Sequence, residues 1–256
     1  MKRIAKHNHH ASPPARIGCA GWSLPAKMAA SFPAQGTHLE RYAQVFSAVE
    51  INSSFYRPHQ PKTYARWAAS VPETFRFSVK IPRTISHELK LVGANDAIKQ
   101  FCEEVSFLGE KLGCLLLQLP PSLALDAPVA RKFFAQLRKS TNANVVCEPR
   151  HASWFTEQAA TLLKRAGVSC VWADPAPVAG VEPVHDSGLL YLRLHGSPRI
   201  YYSAYEASFL KKVSARIIDA RNAGDEAWCI FDNTAAGEAV SNALTLMEEL
   251  QERGGR

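Results

Sequence analysis

Eight short apolar runs, most of them separated by amphipathic segments, limit the folds that this chain can adopt. The runs occupy residues 16–22, 48–56, 76–82, 113–120, 144–150, 169–175, 189–196 and 227–234. Because neighbouring parallel strands need a long crossover, regular alternation of strands and helices predicts a parallel sheet. A chain of 256 residues with this pattern is typical of a single α/β domain, a (β/α)8 barrel of the TIM type.

One connection departs from the alternation. Residues 175–188, "PAPVAGVEPVHDSG", contain too much proline and glycine for a regular helix, so we expect an irregular connection between the sixth and seventh strands. An open doubly wound sheet is the alternative fold, but the first strand–helix turn, "GCAGWSLPAK", lacks the G-x-G-x-x-G phosphate cradle of that fold. With no low-complexity linker, residues 16–256 are predicted to form one domain, preceded by a mobile basic arm at 1–15.

Two segments carry the spacing of a helix-initiating capping box. Thr37 and Glu40 stand three residues apart before one helical pattern, and Ser203 and Glu206 do so before another. In a capping box each side chain accepts a hydrogen bond from a backbone N–H at the start of the helix. The spacing therefore predicts helix starts at both places.

Composition and charge narrow the class of protein. The net charge of +7 permits nucleic-acid contact, but no basic run is interleaved with aromatic residues, so nucleic acid is only a weakly supported partner. No apolar run approaches the ~18 residues of a membrane span, and the N-terminus lacks the apolar core of a secretory signal. The six cysteines have no C-x-x-C spacing and mostly lie in apolar runs, which predicts buried free thiols in a reducing cytoplasm.

Polar residues inside the strand runs point to a functional site. In "AVEINSSFY" (48–56), Val49 and Ile51 alternate with Glu50 and Asn52. Strand side chains alternate between the helix layer and the barrel interior, so the polar pair is predicted to face inward. The same phase predicts a wider inward set near the strand ends, comprising Ser78, Lys80, Gln118, Glu148, Arg150, Asp174, Arg193, His195 and Asp232.

These inward residues come late in their strands, at the carboxyl-terminal end of the barrel. Catalytic residues of TIM barrels sit at that end. Any one of them, for example Lys80 with Glu50, could instead be a structural ion pair. A polar ring contributed by most strands favours a function, because burying so many charges is costly.

Seven motifs together carry a family resemblance: "IGCAGWS", "VEINSSFYR", "RFSVKIPRTISHELKL", "LGCLLLQLPPS", "CEPRHASW", "YLRLHGSPRIYYSAY" and "FDNTAAGEA". Over nearly all of residues 16–253 the chain resembles the domain-of-unknown-function 72 family, also called YecE-like. The resemblance implies a TIM-barrel fold and leaves the reaction open. One departure is Asp232, where the family pattern usually has the first of two asparagines, and the added carboxylate could alter ligand or ion preference.

The resemblance and the inward phase together give the candidate site. The candidate catalytic residues are Glu148, His195, Glu50 and Asp174. The candidate ligand-binding residues are Asn52, Tyr56, Lys80, His87, Gln118, Arg150, Trp154, Arg193, Gly196 and Asn233.

The residue types at this end of the barrel suggest its chemistry. Lysine and arginine suit a phosphate or carboxylate, and carboxylates beside a histidine suit acid–base catalysis. Aromatic residues, which include Trp22 and Trp172, suit a sugar or base. The loops "HGSPR" and "NTAAGEA" occupy the usual phosphate position of such barrels. We therefore expect an enzyme that binds a small anionic ligand, phosphorylated or carboxylate, with sugar-like and nucleotide-like ligands among the candidates.

Other functions remain open at this point. A hydrolase or isomerase could use the carboxylates and His195 to bind a divalent metal, but no H-x-H or H-E-x-x-H spacing is present in residues 16–256 and nearby cations would repel the ion. No metal ligand or cofactor is therefore predicted. Lys80 could form a Schiff base, although anion binding is the commoner role of such a lysine. A ligand- or nucleic-acid-binding protein without catalysis is a further alternative.

Overall fold

Parallel strands alternate with helices along the chain in the computed structural model, which describes residues 13–183 and 188–254. The strands in these ranges are β1 (Ala15–Cys19), β2 (Ala48–Ile51), β3 (Arg76–Lys80), β4 (Leu112–Gln118), β5 (Asn144–Glu148), β6 (Val168–Cys170), β7 (Trp172–Asp174), β8 (Leu189–Leu194) and β9 (Glu226–Phe231). The α-helices are α1 (His38–Ala43), α2 (Pro61–Ala69), α3 (Asn95–Val105), α4 (Ala127–Ser140), α5 (Glu157–Arg165), α6 (Ala207–Asn222) and α7 (Glu238–Gly254).

The strands pair in parallel in two sheets. The four-stranded sheet has the order β1-β9-β8-β7, and the five-stranded sheet has the order β2-β3-β4-β5-β6. The parallel α/β architecture is thus confirmed, whereas the predicted single closed sheet is observed as two hydrogen-bonded sheets. The predicted sixth strand accounts for one division, because Val171 separates it into β6, which pairs with β5, and β7, which pairs with β8.

Single backbone contacts link the two sheets at both divisions. Ala20, which follows β1, forms an isolated parallel bridge with Glu50, and the Gly21 N–H donates to the Glu50 carbonyl at 2.9 Å. At the other division, the Val171 N–H donates to the Cys147 carbonyl at 2.8 Å. The sheets therefore meet at both of their lateral edges.

Strand side chains alternate between two hydrophobic clusters. The larger cluster joins one face of the strands to the helices, and Val49, Val79 and Leu192 belong to it. The smaller cluster takes residues of opposite phase from both sheets: Ala48, Cys114, Leu116, Val146, Val171, Ala173, Leu189, Tyr191, Trp228 and Ile230. The inner faces of the two sheets therefore share a core, and the late inward positions of the strands lie beyond it.

A close backbone approach requires glycine where β1 passes β2. A Cβ on Gly18 would lie 1.9 Å from the Ala48 carbonyl oxygen, which is inside any allowed contact. The Tyr42 hydroxyl also contacts both strands, because it accepts from the Cys19 N–H at 2.7 Å and donates to the Ala48 carbonyl at 3.0 Å. The Tyr42 hydroxyl therefore bonds β1 to β2, and the lack of a side chain at Gly18 allows the two strands to approach this closely.

One predicted capping box is confirmed and the other is wrong. The Glu40 N–H donates to the Thr37 hydroxyl, and the Glu40 carboxylate accepts from the Thr37 N–H at 2.6 Å. Helix α6 instead begins after Glu206, which makes no side-chain cap. The Ser203 hydroxyl accepts from the Arg199 N–H at 3.1 Å, because the preceding loop turns back on itself before the helix starts.

The irregular connection and the arm are described only in part. Residues 175–183 contain no helix, as predicted, whereas 184–187 lie outside the described residues. Of the predicted arm, residues 1–12 also lie outside them, and Ala15 belongs to β1 rather than to the arm. No helix in the described ranges is long and apolar enough to cross a membrane. The six cysteines are free, and five of them are buried.

Candidate active site

Arg193 on β8 is the centre of a buried ion-pair network. Its guanidinium binds both Glu50 carboxylate oxygens, with Nε 2.9 Å from Oε2 and Nη2 2.7 Å from Oε1. Nη1 donates to Glu148 Oε2 at 2.6 Å, and Nη2 also donates to Asp232 Oδ2 at 3.0 Å. The side chain of Arg193 is 0% exposed. In this conformation carboxylates enclose the Arg193 guanidinium, and its predicted contact with a ligand stays a prediction.

His195, two residues after Arg193, lies between two of the same carboxylates. Its Nδ1 is 3.0 Å from Asp232 Oδ2 and its Nε2 is 3.2 Å from Glu148 Oε1. Arg150 donates to the same Glu148 oxygen from Nε at 3.2 Å and from Nη2 at 3.0 Å. We call these six residues the charge cluster: Glu50, Glu148, Arg150, Arg193, His195 and Asp232.

The charge cluster favours the ionised forms of Glu148 and Asp232 and the protonated form of His195. Burial alone would raise the pKa of Glu148, but Arg193, His195 and Arg150 hold that pKa well below its usual range. The pKa of Asp232 is lowered in the same way, against burial, by Arg193 and His195. Burial would lower the pKa of His195, but Glu148 and Asp232 raise it above its ordinary value. An imidazolium is thus stabilised between two carboxylates.

A tyrosine that the sequence analysis missed supports the cluster from below. The Tyr191 hydroxyl lies 2.7 Å from Ser78 Oγ and 3.2 Å from Glu50 Oε2. Its ring stacks on Trp228 with centroids 5.8 Å apart, inside the core that the two sheets share. The signal was present in the sequence, because Tyr191 precedes Arg193 by two residues and so shares its inward phase.

Lys80, the last residue of β3, is a buried cation without a partner. Its Nζ lies 4.3 Å from the centre of the Phe55 ring. Throughout residues 13–183 and 188–254, no hydrogen bond or ion pair to this ammonium is found, although the residue is only 5% exposed. Burial and the neighbouring Arg193 guanidinium lower the pKa of Lys80 from 10.5 to about 8.

A short turn after β2 positions the residues around Lys80. The predicted strand at 48–56 ends at Ile51, and Ser53–Phe55 form a 3-10 turn instead. The Ser54 hydroxyl lies 2.6 Å from the Lys80 carbonyl and 2.9 Å from the Ile51 carbonyl. This contact fixes the turn against the end of β3 and brings the Phe55 ring under the ammonium.

The other residues predicted near this turn differ in burial. Tyr56 is 72% exposed, and its ring meets Phe55 edge to face. His87 packs its ring against the other edge of Phe55 at 5.0 Å and lies 2.9 Å from the Ser86 hydroxyl. Burial and Lys80 lower the pKa of His87, so the ring is neutral near pH 7. Asn52 has a buried Oδ1 without a hydrogen-bond partner among the described residues.

Asp174, Gly196 and Asn233 belong to a second polar network. The Gly196 N–H donates to the Tyr205 hydroxyl at 2.8 Å, and that hydroxyl lies 2.8 Å from Asp174 Oδ1. Asn242 Oδ1 accepts from both the Tyr205 N–H and Asn233 Nδ2. The predicted inward phase of Asp174 is wrong, because the neighbouring Ala173 is the residue that joins the inner core.

Most of the aromatic residues that were predicted to line the site lie on the helix side of the strands instead. The Trp154 indole donates to the Leu123 carbonyl at 3.0 Å and belongs to the large core on the helix side. Trp172 packs on that side too, where the Arg216 guanidinium lies 4.8 Å from its ring centre. Gln118 keeps the predicted phase and ends β4 as a buried polar residue. The late-strand pattern thus identifies charges better than aromatics.

Exposed apolar side chains gather on the loops that follow the strands. Among the described residues, six of the seven large exposed hydrophobics lie on loops after β2, β3 and β8: Tyr56, Leu89, Val92, Ile200, Tyr201 and Tyr202. The Tyr201 ring meets the His195 ring edge to face at 6.0 Å. These loops therefore place an apolar rim beside the charge cluster.

The expected phosphate cradle of the last two loops is partly occupied by internal bonds. The backbone N–H groups of Ala235, Gly237 and Ala239 already donate to the carbonyls of Tyr201, Thr234 and Asn233.

No group of three His, Cys, Asp or Glu side chains within 13–183 and 188–254 is placed to hold a metal ion. The Arg193 guanidinium occupies the space between the carboxylates instead.

Fold and site together define a parallel α/β protein with a buried arginine–carboxylate–histidine cluster at the carboxyl ends of its strands. The family model described as "Protein of unknown function DUF72" matches residues 16–256. The chain belongs to this family, as the resemblance predicted.

Two named relatives agree with that assignment. The UPF0759 protein YecE of Escherichia coli K12 is 33% identical over 173 residues, a match that covers 65% of this chain and 61% of the relative. The UPF0759 protein YunF of Bacillus subtilis strain 168 is 23% identical over 266 residues, covering 91% of this chain and 94% of the relative.

Solved structures of the family share the fold. A DUF72 family protein from Enterococcus faecalis V583 superposes with a TM-score of 0.79 at 21% identity, covering 93% of this chain and 96% of the other. A second, from Thermotoga maritima MSB8, gives 0.78 at 23% identity, covering 93% and 99% of the two chains. At this identity the likeness is one of fold.

Proposed function

We propose that the carboxyl ends of the strands bind a small anionic ligand and that the protein is an enzyme of acid–base chemistry. The observation that carries the proposal is Lys80, a buried ammonium without a carboxylate contact beside a cluster whose other cations are paired. Glu50, Asp232 and Glu148 attract this ammonium, but none of them contacts it, and a buried charge without a direct partner is costly. A phosphate or carboxylate supplies the missing counter-charge.

Arg150 supplies the second cation for the ligand. Its side chain is 27% exposed, whereas Arg193 is enclosed. Its guanidinium binds Glu148 through two nitrogens and also interacts with the Tyr201 side chain, which is itself 40% exposed. In this proposal Arg193 holds the carboxylates in position, and Lys80 and Arg150 contact the anion.

His195 is the proton donor of the proposed chemistry. Its pKa is raised by Glu148 and Asp232 against the effect of burial, which favours the protonated ring. Glu148 has a depressed pKa and is saturated by donors, so it orients the imidazolium rather than accepting a proton from substrate.

The finer description of the fold is also a proposal. We infer that the two sheets are two arcs of one (β/α)8 barrel, which their shared inner core and the backbone contacts at both divisions support. In that barrel the charge cluster lies at the carboxyl-terminal mouth, where TIM-barrel active sites are built. A single domain over 16–256 and residence in the cytoplasm complete the proposal, and the free cysteines support the latter.

Ligand-dependent thermal protection tests the binding proposal. Wild type, Lys80→Met and Arg150→Met are heated with phosphate, sulfate, citrate or pyruvate, and Lys212→Met is the control because Lys212 is exposed on α6. A ligand at 100 times its Kd stabilises the native state by about 2.7 kcal/mol. We expect at least one anion to protect wild type and the control, and to protect both site variants much less.

Absence of protection by any of these anions would contradict the proposal. If instead a divalent ion raised the melting temperature and EDTA lowered it, the metal-dependent alternative would replace it. Protection that survives in both site variants would place the anion elsewhere on the basic surface.

A further inference from the structure

We propose that Lys80 is an amine nucleophile that forms an imine with the carbonyl group of a small anionic substrate, such as a 2-oxo acid or an acidic aldehyde. The inference rests on the proposed anion site and names the substrate class for it. Three features support it: the surroundings of the amine, the binding of the neighbouring carboxylates to other cations, and the proton balance of the step.

The surroundings of Lys80 favour the neutral amine. The ammonium lies 4.3 Å from the centre of the Phe55 ring, and the Ser54 hydroxyl donates to the lysine carbonyl at 2.6 Å. An apolar wall and a neighbouring cation are the conditions that convert a lysine into a nucleophile. Arg193 supplies the cation, and the two effects lower the pKa of Lys80 to about 8.

The nearby carboxylates are engaged and do not hold the amine. Glu50 binds Arg193 through both oxygens, and Glu148 uses both of its oxygens on Arg193, Arg150 and His195. Asp232 directs Oδ2 to Arg193 and His195. A purely structural lysine in this position would be expected to contact one of these carboxylates, and Lys80 does not.

The proposed step balances without an external reagent. The amine lone pair of Lys80 forms a bond to the carbonyl carbon, and the carbonyl oxygen takes a proton from the His195 imidazolium. The resulting carbinolamine loses water, and the imine nitrogen is left without the two protons of the amine. Both protons leave in the water molecule, and His195 returns to its protonated state. Nothing is oxidised or reduced.

The anionic group of the substrate directs it to this amine. Arg150 is the accessible cation beside Glu148, so it retains the carboxylate or phosphate when the neutral fraction of Lys80 attacks the carbonyl carbon. The apolar side chains of Ile200 and Tyr201 lie on the loop next to His195, where they reduce the access of bulk water. Small substrates fit best, because Lys80 and His195 are nearly buried.

Reductive trapping tests the inference directly. Wild-type protein is incubated near pH 7.5 with sodium cyanoborohydride and pyruvate, glyoxylate or the neutral control propanal, and the modified lysines are mapped by peptide mass spectrometry. Exposed Lys212 is the internal reference. We expect glyoxylate or pyruvate to modify Lys80 at least about tenfold faster than Lys212, because a larger fraction of the depressed-pKa amine is neutral.

Two variants separate this inference from the proposed function. Lys80→Arg keeps the positive charge and must lose the site-specific adduct. Arg150→Met is expected to slow the adduct with pyruvate several-fold and to leave that with propanal unchanged. Modification of Lys80 no faster than Lys212 by every probe overturns the imine even if anions protect the fold. Equal labelling of Lys80 by propanal and glyoxylate, which are both aldehydes, keeps the amine reactive and overturns the anion site.

Discussion

Replacing Arg193 by methionine should destabilise the protein more than any surface charge change. Methionine fills much of the same volume and removes the four donor contacts to Glu50, Glu148 and Asp232. Removing one partner of a buried ion pair costs about 3–5 kcal/mol, because a charge is left uncompensated. Glu50 loses both of its ion-pair contacts, and Glu148 and Asp232 lose one contact each while they keep His195, so the upper end of that range applies.

Thermal denaturation measures this loss. For a chain of this length each kcal/mol lowers the melting temperature by about 2–4 °C, so the drop at pH 7 is roughly 10–20 °C for a loss near the upper end of the range. The matched control is Arg216→Met, which removes a pair of contacts to Glu182 at 2.7 and 2.8 Å from an arginine that is partly exposed. We expect the control to lose less than about 1 kcal/mol.

The pH dependence of the Arg193→Met loss is the sharper test. In wild type the depressed pKa values of Glu148 and Asp232 add stability above the unfolded pKa, and this stability is lost as pH falls through the folded values. In the variant these carboxyls are buried without the guanidinium, so their pKa values rise and protonation relieves the cost. The difference between the proteins should therefore narrow from pH 7 to about 4. A difference that stays constant over this interval would refute the ion-pair reasoning.

Three further predictions follow from single residues. Lys80→Met should stabilise the protein at pH 7 by up to roughly 3 kcal/mol, because a lysine pKa lowered to about 8 in the folded state costs stability at lower pH. The gain, measured by chemical denaturation, should fade as the pH rises from 8 to 10.5, and a pH-independent gain would count against the buried ammonium. Asp232→Asn should lower the His195 pKa in an NMR titration, because one of its two carboxylates is neutralised, and an unchanged titration would reject that cause. Gly18→Ala should abolish folding on expression, whereas a native-like circular dichroism spectrum would show that β1 can move away from Ala48.

The alternation of the strands and their inward charges could be predicted from sequence because both depend on local periodicity. Side chains of period two place Glu50, Lys80, Glu148 and Arg193 on one face without any knowledge of tertiary contacts. The position of each strand along the chain then places these residues near one edge of the sheets. This reasoning identified five of the six members of the charge cluster as candidate site residues, and Asp232 as an inward neighbour.

The details at the strand ends could not be predicted in this way. The ladder stops at Ile51, so the alternation does not extend through Phe55, and the ring turns beneath Lys80. Asp174 has the residue type of a catalytic carboxylate, but its strand is divided at Val171 and Ala173 takes the inward place. Local turns decide these cases, and a period-two pattern carries no information about them.

Long-range contacts explain the remaining errors. The pairing of Tyr205 with Asn242 joins residues 37 positions apart, and no spacing motif marks it. The enclosure of Arg193 depends on three carboxylates from other strands meeting at one point, whereas sequence reasoning expected a guanidinium open to ligand. The proposed function therefore gives the ligand role to Arg150, which is partly accessible, and to Lys80, which no carboxylate among the described residues contacts.

The protonation of Lys80 tests the central claim most directly. Lysines are dimethylated with 13C-formaldehyde, the Lys80 resonance is assigned by its loss in Lys80→Arg, and its pKa is measured by NMR with and without phosphate or pyruvate. We predict a pKa near 8 in the free protein, as burial and Arg193 require, and a higher value with the anion, which favours the charged amine. A pKa near the ordinary value of 10.5 that no anion changes would contradict the account.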